Sequence, residues 1–95
     1  MERESAWWMK REDERILEFL DEEGLAGPGL IANKVFRKVR PGHVRERLYM
    51  LQYAALVAKT GYKSYELTEE GERYLEGDLN ANHQPRPTMA RFVKT

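Results

Sequence analysis

The 95-residue chain contains no cysteine. Disulfides, thiolate metal sites and cysteine nucleophiles are excluded on that ground, and a reduced, cytoplasmic setting is expected. Long apolar runs are missing as well. Nothing approaches the roughly 18 consecutive apolar residues that cross a bilayer, so no membrane contact is expected. Met1-Glu2-Arg3-Glu4 is polar and lacks the apolar region of a signal peptide. Histidine is scarce, and His43 and His83 form no metal-ligand cluster. No Gly-rich phosphate loop or nucleophile elbow occurs. The sequence therefore predicts no enzyme, no catalytic residue, no metal and no cofactor.

Net charge is the last thing missing, since 16 Lys and Arg balance 16 Asp and Glu. The balance hides a segregation. Lys34, Arg37, Lys38, Arg40, Arg45 and Arg47 are opposed locally only by Glu46. Glu66, Glu69, Glu70, Glu72, Glu76 and Asp78 are opposed only by Arg73. A local basic segment can serve as an electrostatic footprint for an anionic partner even in a neutral protein. A merely solvated face explains the same charges equally well. With 41% apolar and 34% charged residues the composition is that of one small globular domain, able to bury a modest core.

Hydrophobic periodicity orders the chain. From about Lys10 to Glu23, Met9, Asp13, Ile16, Leu17 and Leu20 fall on one side at about 100° per residue, the mark of an amphipathic helix. Gly24 ends it. Leu25-Ala26-Gly27 is long enough only for a single bridging strand. Pro28 suits the first turn of a second helix, whose buried stripe is expected at Ile31 and Val35. The basic connector Arg37-Lys38-Val39-Arg40 leads to Pro41, which opens a third helix running to about Tyr53 with Val44, Leu48 and Leu51 inward. Two helices joined by a short turn describe a helix-turn-helix.

The period then changes. Leu56-Val57-Ala58 and Ser64-Tyr65-Glu66-Leu67 read as two strands around a Gly61 turn. Thr68 caps a last helix from Glu69 to Leu75, and acidic residues fill its first turn, where the helix dipole favours them. Gly71 inside so short a helix is a weakness unless another element packs close to it. The fold class is α+β and mostly helical: helix, short strand, helix, helix, hairpin, helix, the order of a winged helix-turn-helix. Residues 1–77 are expected to form that domain, and the polar, Pro-interrupted residues 78–95 an extended C-terminal tail.

Several segments resemble archaeal winged-helix regulators. They are Asp13-Glu14-Arg15-Ile16-Leu17-Glu18-Phe19-Leu20, then Val44-Arg45-Glu46-Arg47-Leu48 with Leu51 and Ala54-Ala55-Leu56-Val57, and finally Tyr65-Glu66-Leu67-Thr68-Glu69-Glu70-Gly71 through Leu75. The chain is similar over residues 7–79 to the repressor-like group of haloarchaea and their viruses related to the phi-H phage repressor. Where that group carries a helix-ending Gly before Leu-Val, this chain has Ala55. Its neutral charge also departs from the strongly acidic character usual for haloarchaeal proteins. The resemblance implies sequence-specific binding of double-stranded DNA by a transcriptional regulator of repressor type, usually dimeric.

Helical geometry then nominates residues. With Val44, Leu48 and Leu51 inward, the N-terminal part of the third helix offers Gly42, His43, Arg45, Glu46 and Tyr49 to base edges in the major groove. Arg45 suits guanine and Glu46 suits cytosine N4. Lys34, Arg37, Lys38 and Arg40 beside the turn, with Lys59 and Lys63 in the wing, suit phosphates. Ordinary surface charge is the alternative for each of them. Arg47, about 60° from the core stripe by helical geometry, is read as structural, a partner for Asp13. Trp7 and Trp8 are too apolar to leave in water together. One is expected to cover the core. Trp7, Trp8 or the tail, which ends near Phe92 and Val93, is the expected homodimer contact. The rival function is a winged-helix module for protein–protein contact without DNA, favoured by the neutral charge and the acidic last helix. RNA binding is a third possibility, although no aromatic stacking platform is evident.

Overall fold

A computed structural model describes residues 2–87. Four helices and a two-stranded antiparallel sheet follow in the expected order: α1 (Arg11–Glu23), α2 (Pro28–Val35), α3 (Pro41–Tyr53), β1 (Val57–Thr60), β2 (Ser64–Leu67) and α4 (Glu69–Leu75). The predicted short strand exists as a single antiparallel bridge, with Ala26 and Tyr65 exchanging N–H···O bonds of 3.1 and 2.8 Å. The bridge fastens the hairpin to the α1–α2 connection.

The core stripe of α1 is Asp13, Ile16, Leu17 and Leu20, and α3 contributes Val44, Arg47, Leu48 and Leu51. Burial of the apolar members drives the helices together. On α2 the buried positions are Ile31 and Ala32, with Phe36 just beyond the helix. Val35, the last residue of α2, is only half-buried and packs against the edge of the core. Arg15 closes that end of α2. It donates to the Val35 carbonyl at 2.7 Å, and its guanidinium lies 5.1 Å from the centre of the Phe36 ring.

The junction between α3 and the sheet turns back sharply. The Leu56 N–H bonds the Leu51 carbonyl and the Ala55 N–H bonds that of Gln52, both at 2.9 Å, which is the Schellman closure of a helix. It requires a left-handed residue, and Ala55 supplies it at φ 66°. Residue 55 thus takes a conformation that favours glycine with an alanine in place. Gly71 meets the condition under which a helical glycine makes sense. A Cβ there would stand 2.2 Å from the Leu56 carbonyl oxygen, so α4 lies against this turn only because residue 71 has no side chain.

Beyond α4 the chain differs from a free extended tail over its first residues. Asn80 pairs with Glu4 as a parallel bridge, residues Ala81–His83 form a 3₁₀ turn, and Ala81 is buried. Asn82 donates to the Ser5 carbonyl and Gln84 to that of Ala54. Residues 4–8 and 80–84 thus cover the core together. Residues 88–95, including the predicted contact residues Phe92 and Val93, lie outside the described residues. None of the described helices is long and apolar enough to cross a membrane.

Candidate nucleic-acid interface

Both α2 and α3 open on Pro-Gly, with Pro28 and Pro41 at the first turn. A proline there wastes no N–H, and its fixed φ suits the helix start. The two openings come together at the wing. A cleft of about 340 Å3 is lined by Pro28 and Gly29 of α2, Pro41 and Arg45 of α3, and Lys59, Tyr62, Lys63 and Tyr65 of the hairpin. A neighbouring hollow of about 420 Å3 shares Gly29 and Pro41 and continues past Asn33, Arg37 and Val39. Together they run along the outer side of the helix-turn-helix.

The root of the wing is fixed by Gly27 as well as by the Ala26–Tyr65 bridge. A Cβ on Gly27 would meet the Lys63 carbonyl oxygen at 2.5 Å. The absence of a side chain at Gly27 lets the Lys63 backbone lie against the start of α2. At the tip, Gly61 takes φ 70°, and Tyr62 projects with 84% of its surface exposed. The Lys63 ammonium lies 5.3 Å from the centre of the Tyr62 ring. Tyr62 stands beside Lys59 and Lys63, the predicted phosphate contacts of the wing, and lines the same cleft. Its exposure and its place in the cleft lining are what single it out.

The predicted site residues divide into groups. Gly42, Arg45, Glu46 and Tyr49 are exposed on the outer side of α3. Lys34, Arg37, Lys38, Arg40, Lys59 and Lys63 are exposed as well, and among the described residues none of these six, nor Arg45, forms an ion pair. Arg3 and Arg47, by contrast, are engaged by carboxylates. A cation without an internal partner keeps its charge available to an external anion. His43 stands apart from the other predicted base readers. It is half-buried at the α1 edge of α3, with Nε2 3.4 Å from Glu12 Oε1.

One helical turn further, at the same edge, Arg47 Nε donates to Asp13 Oδ1 at 2.8 Å and Nη2 to Oδ2 at 2.6 Å. Nη2 also reaches the Trp8 carbonyl at 3.3 Å. Asp13 is wholly buried and Arg47 is 6% exposed. The bond to Asp13 holds the guanidinium pKa above its ordinary value, against the opposing effect of burial. Oδ2 of Asp13 also accepts the Lys10 N–H at 2.9 Å, while the Asp13 N–H returns to the Lys10 carbonyl. Asp13 is therefore both the N-terminal cap of α1, as its N3 residue, and the partner of Arg47.

The acidic residues gather elsewhere. Glu18 and Asp21 of α1, with Glu72 and Glu76 at the end of α4, line a separate hollow around Arg3. Arg3 donates to the Leu75 carbonyl at 2.9 Å and to Glu14 and Glu18, so it ties the N-terminal segment to both helices. Tyr74, fully buried, donates to Glu14 Oε2 at 2.8 Å. No cluster of three or more His, Asp or Glu able to hold a metal ion is found among the described residues. Trp8 is buried and Trp7 is 72% exposed, so the adjacent tryptophans divide between core and surface.

No curated protein matches the chain. Among solved structures, the PhiH1 repressor-like protein from Haloarcula marismortui is similar at 32% identity and a TM-score of 0.84, over 92% of this chain and 99% of that one. Residues 1–85 match the family described as winged helix-turn-helix phage repressor, a span that takes in the docked segment after α4. The chain belongs to that winged helix-turn-helix family.

Proposed function

We propose that the protein is a transcriptional regulator, not an enzyme, which binds double-stranded DNA sequence-specifically as a repressor. In this reading α3 enters the major groove and the wing lies on the backbone. The observation that carries it is the cleft where Arg45, Lys59 and Lys63, without an ion pair among the described residues, meet beside the openings of two helices. Arg45, Glu46 and Tyr49 read base edges, with Gly42 allowing close approach. His43 joins them at the α1 edge of the helix. Lys34, Arg37, Lys38 and Arg40 flank the turn and hold phosphates with Lys59 and Lys63. Family membership and the likeness to a repressor-like protein support the same reading.

The protein is further read as a homodimer that uses Trp7. Trp8 no longer offers itself, since the core takes its ring. Sedimentation of the protein beside Trp7→Ala tests this, with loss of the dimer expected in the variant.

The test of DNA binding is a titration onto mixed duplex at two salt concentrations. The comparison is a variant with Arg37, Lys38, Arg40 and Arg45 all changed to Ala. Binding should weaken with salt by counterion release, and the variant should bind weakly with a salt slope smaller by up to about 4. Failure of both folded proteins to bind at low salt would overturn the reading and favour a protein partner.

A further inference from the structure

The Asp13–Arg47 pair is an expensive way to join two helices. An ion pair taken wholly out of water gives back in attraction roughly what it loses in hydration, so well-packed apolar residues hold such a site as firmly. What apolar contacts lack is direction. Val44, Leu48 and Leu51 bury α3 against the core, yet that packing tolerates small rotations about the helix axis and small slides along it. The Arg47 fork does not. Two parallel N–H···O bonds to one carboxylate, with a third bond to the Trp8 carbonyl, fix the guanidinium plane at 2.6–3.3 Å. The carboxylate is itself held by the Lys10 N–H at the start of α1. His43 and Glu12 repeat the link one turn closer to the start of α3, at longer range.

The edge of α3 opposite this anchor carries Arg45, with Tyr49 close by around the helix, both exposed. Base discrimination needs the reading side chains within a few tenths of an ångström of productive geometry, whereas phosphate contacts by long, flexible side chains do not. We infer that Asp13 and Arg47 are positioning residues for sequence reading: they set the rotation of α3 and thereby the base selectivity of the protein, without touching DNA. The inference rests on the proposed DNA binding and adds to it a division of labour. Selectivity passes through the buried pair, and general affinity through the exposed cations.

The experiment replaces the pair by Asp13→Leu with Arg47→Met, which keeps the volume buried and removes the directional bonds. A thermal melt establishes that the double variant folds. Affinities for a duplex selected by the unmodified protein, and for a scrambled duplex, are then measured at one salt concentration. The ratio of the two should fall about tenfold or more, the worth of one bidentate base contact, while scrambled-duplex affinity stays within about twofold. Arg47→Lys keeps the charge and loses the fork, and it should lower the ratio too, which covers the case of a poorly folded double variant. An unchanged ratio in a folded variant overturns the inference and leaves DNA binding standing. If the unmodified protein binds no duplex, or binds all duplexes alike, the inference falls together with the reading it rests on.

Discussion

The Thr68 hydroxyl donates to the Ala55 carbonyl at 2.7 Å and accepts the Gly71 N–H at 2.9 Å, so one side chain joins the end of α3 to the start of α4. The Thr68 N–H adds a bond to the Leu56 carbonyl at 3.1 Å. The run Leu67-Thr68-Glu69-Glu70-Gly71 is thereby explained: threonine caps and ties, and glycine makes room. Thr68→Ala should cost about 1–2 kcal/mol, as loss of a cap and a tie together. Urea unfolding of the two proteins measures it, and a loss below a few tenths would mean that water replaces both bonds.

Ala55 invites the opposite change. It holds a left-handed conformation that costs an L-residue about 1 kcal/mol, and glycine adopts it without strain. Ala55→Gly should therefore raise stability only slightly, by up to about 0.5 kcal/mol, after the larger entropy of the unfolded glycine is set against the relief. A higher urea midpoint at an unchanged slope is the expected result. A lower midpoint would show that the Ala55 methyl packs more usefully than its backbone conformation costs.

Gly71→Ala should destabilise strongly. The new methyl would collide with the Leu56 carbonyl and come within 2.8 Å of Leu67 Cδ1. Backbone has to move, at about 1–3 kcal/mol for overpacking. Thermal melting reads this directly, and an undiminished melting temperature would mean that α4 can slide away freely.

Gly29 and Gly42 present a different case. A Cβ at either would meet nothing within 4 Å. The fold does not require glycine there, and alanine should stabilise each helix start by about 0.4–1 kcal/mol. If DNA comes close to the two Pro-Gly openings, the same methyl groups obstruct it. The expected outcome is a rise in melting temperature with a fall in duplex affinity, measured on each variant. A rise in both would place the DNA away from these openings.

Tyr74 gives the fold an alkaline limit. Burial first, and then the bond and charge of Glu14, hold its phenol above the ordinary value. The folded pKa thus exceeds the unfolded value of about 10. The stability contributed by the neutral phenol is complete below pH ~10 and is lost as pH rises above it. Tyr74→Phe should cost about 1 kcal/mol near neutrality through the lost bond and should flatten the alkaline fall. Urea midpoints at pH 7 and above 10 check both, and parallel pH curves would assign the alkaline loss to other groups.

How far these features could be read beforehand depended on their range along the chain. The helices, the wing and the Ala26 bridge follow from local periodicity and from proline and glycine placement, so they were legible. The Asp13–Arg47 contact spans 34 positions, yet it was legible because a lone Asp on an apolar stripe needs a cation and Arg47 flanked the facing stripe. Arg3 with Glu14 and Tyr74 left no such sign, since arginine, glutamate and tyrosine are all at home on a surface. The fold-back of residues 80–84 onto residues 4–5 and Ala54 was equally hidden. It depends on a backbone bond of Ala81, on the burial of that alanine and on amide side chains that reach backbone carbonyls, none of which shows in a polar, proline-rich stretch. At the interface, helical spacing placed Gly42, Arg45, Glu46 and Tyr49 outward. The turn of His43 toward Glu12 depends on where α1 crosses, which spacing on α3 alone does not contain.

Separate acidic and basic hollows on a chain of zero formal charge make the molecule a dipole without a monopole. A distant polyanion exerts almost no net pull on such a body, but it does exert a torque. Rotation to the productive heading therefore precedes attraction. Only within about one Debye length, ~10 Å at 0.1 M salt, does the nearer pole feel the field more than the farther one. An encounter at the Glu-rich hollow is repelled instead of being captured and sorted afterwards, so under the proposed DNA binding the acidic residues act as an orientation filter.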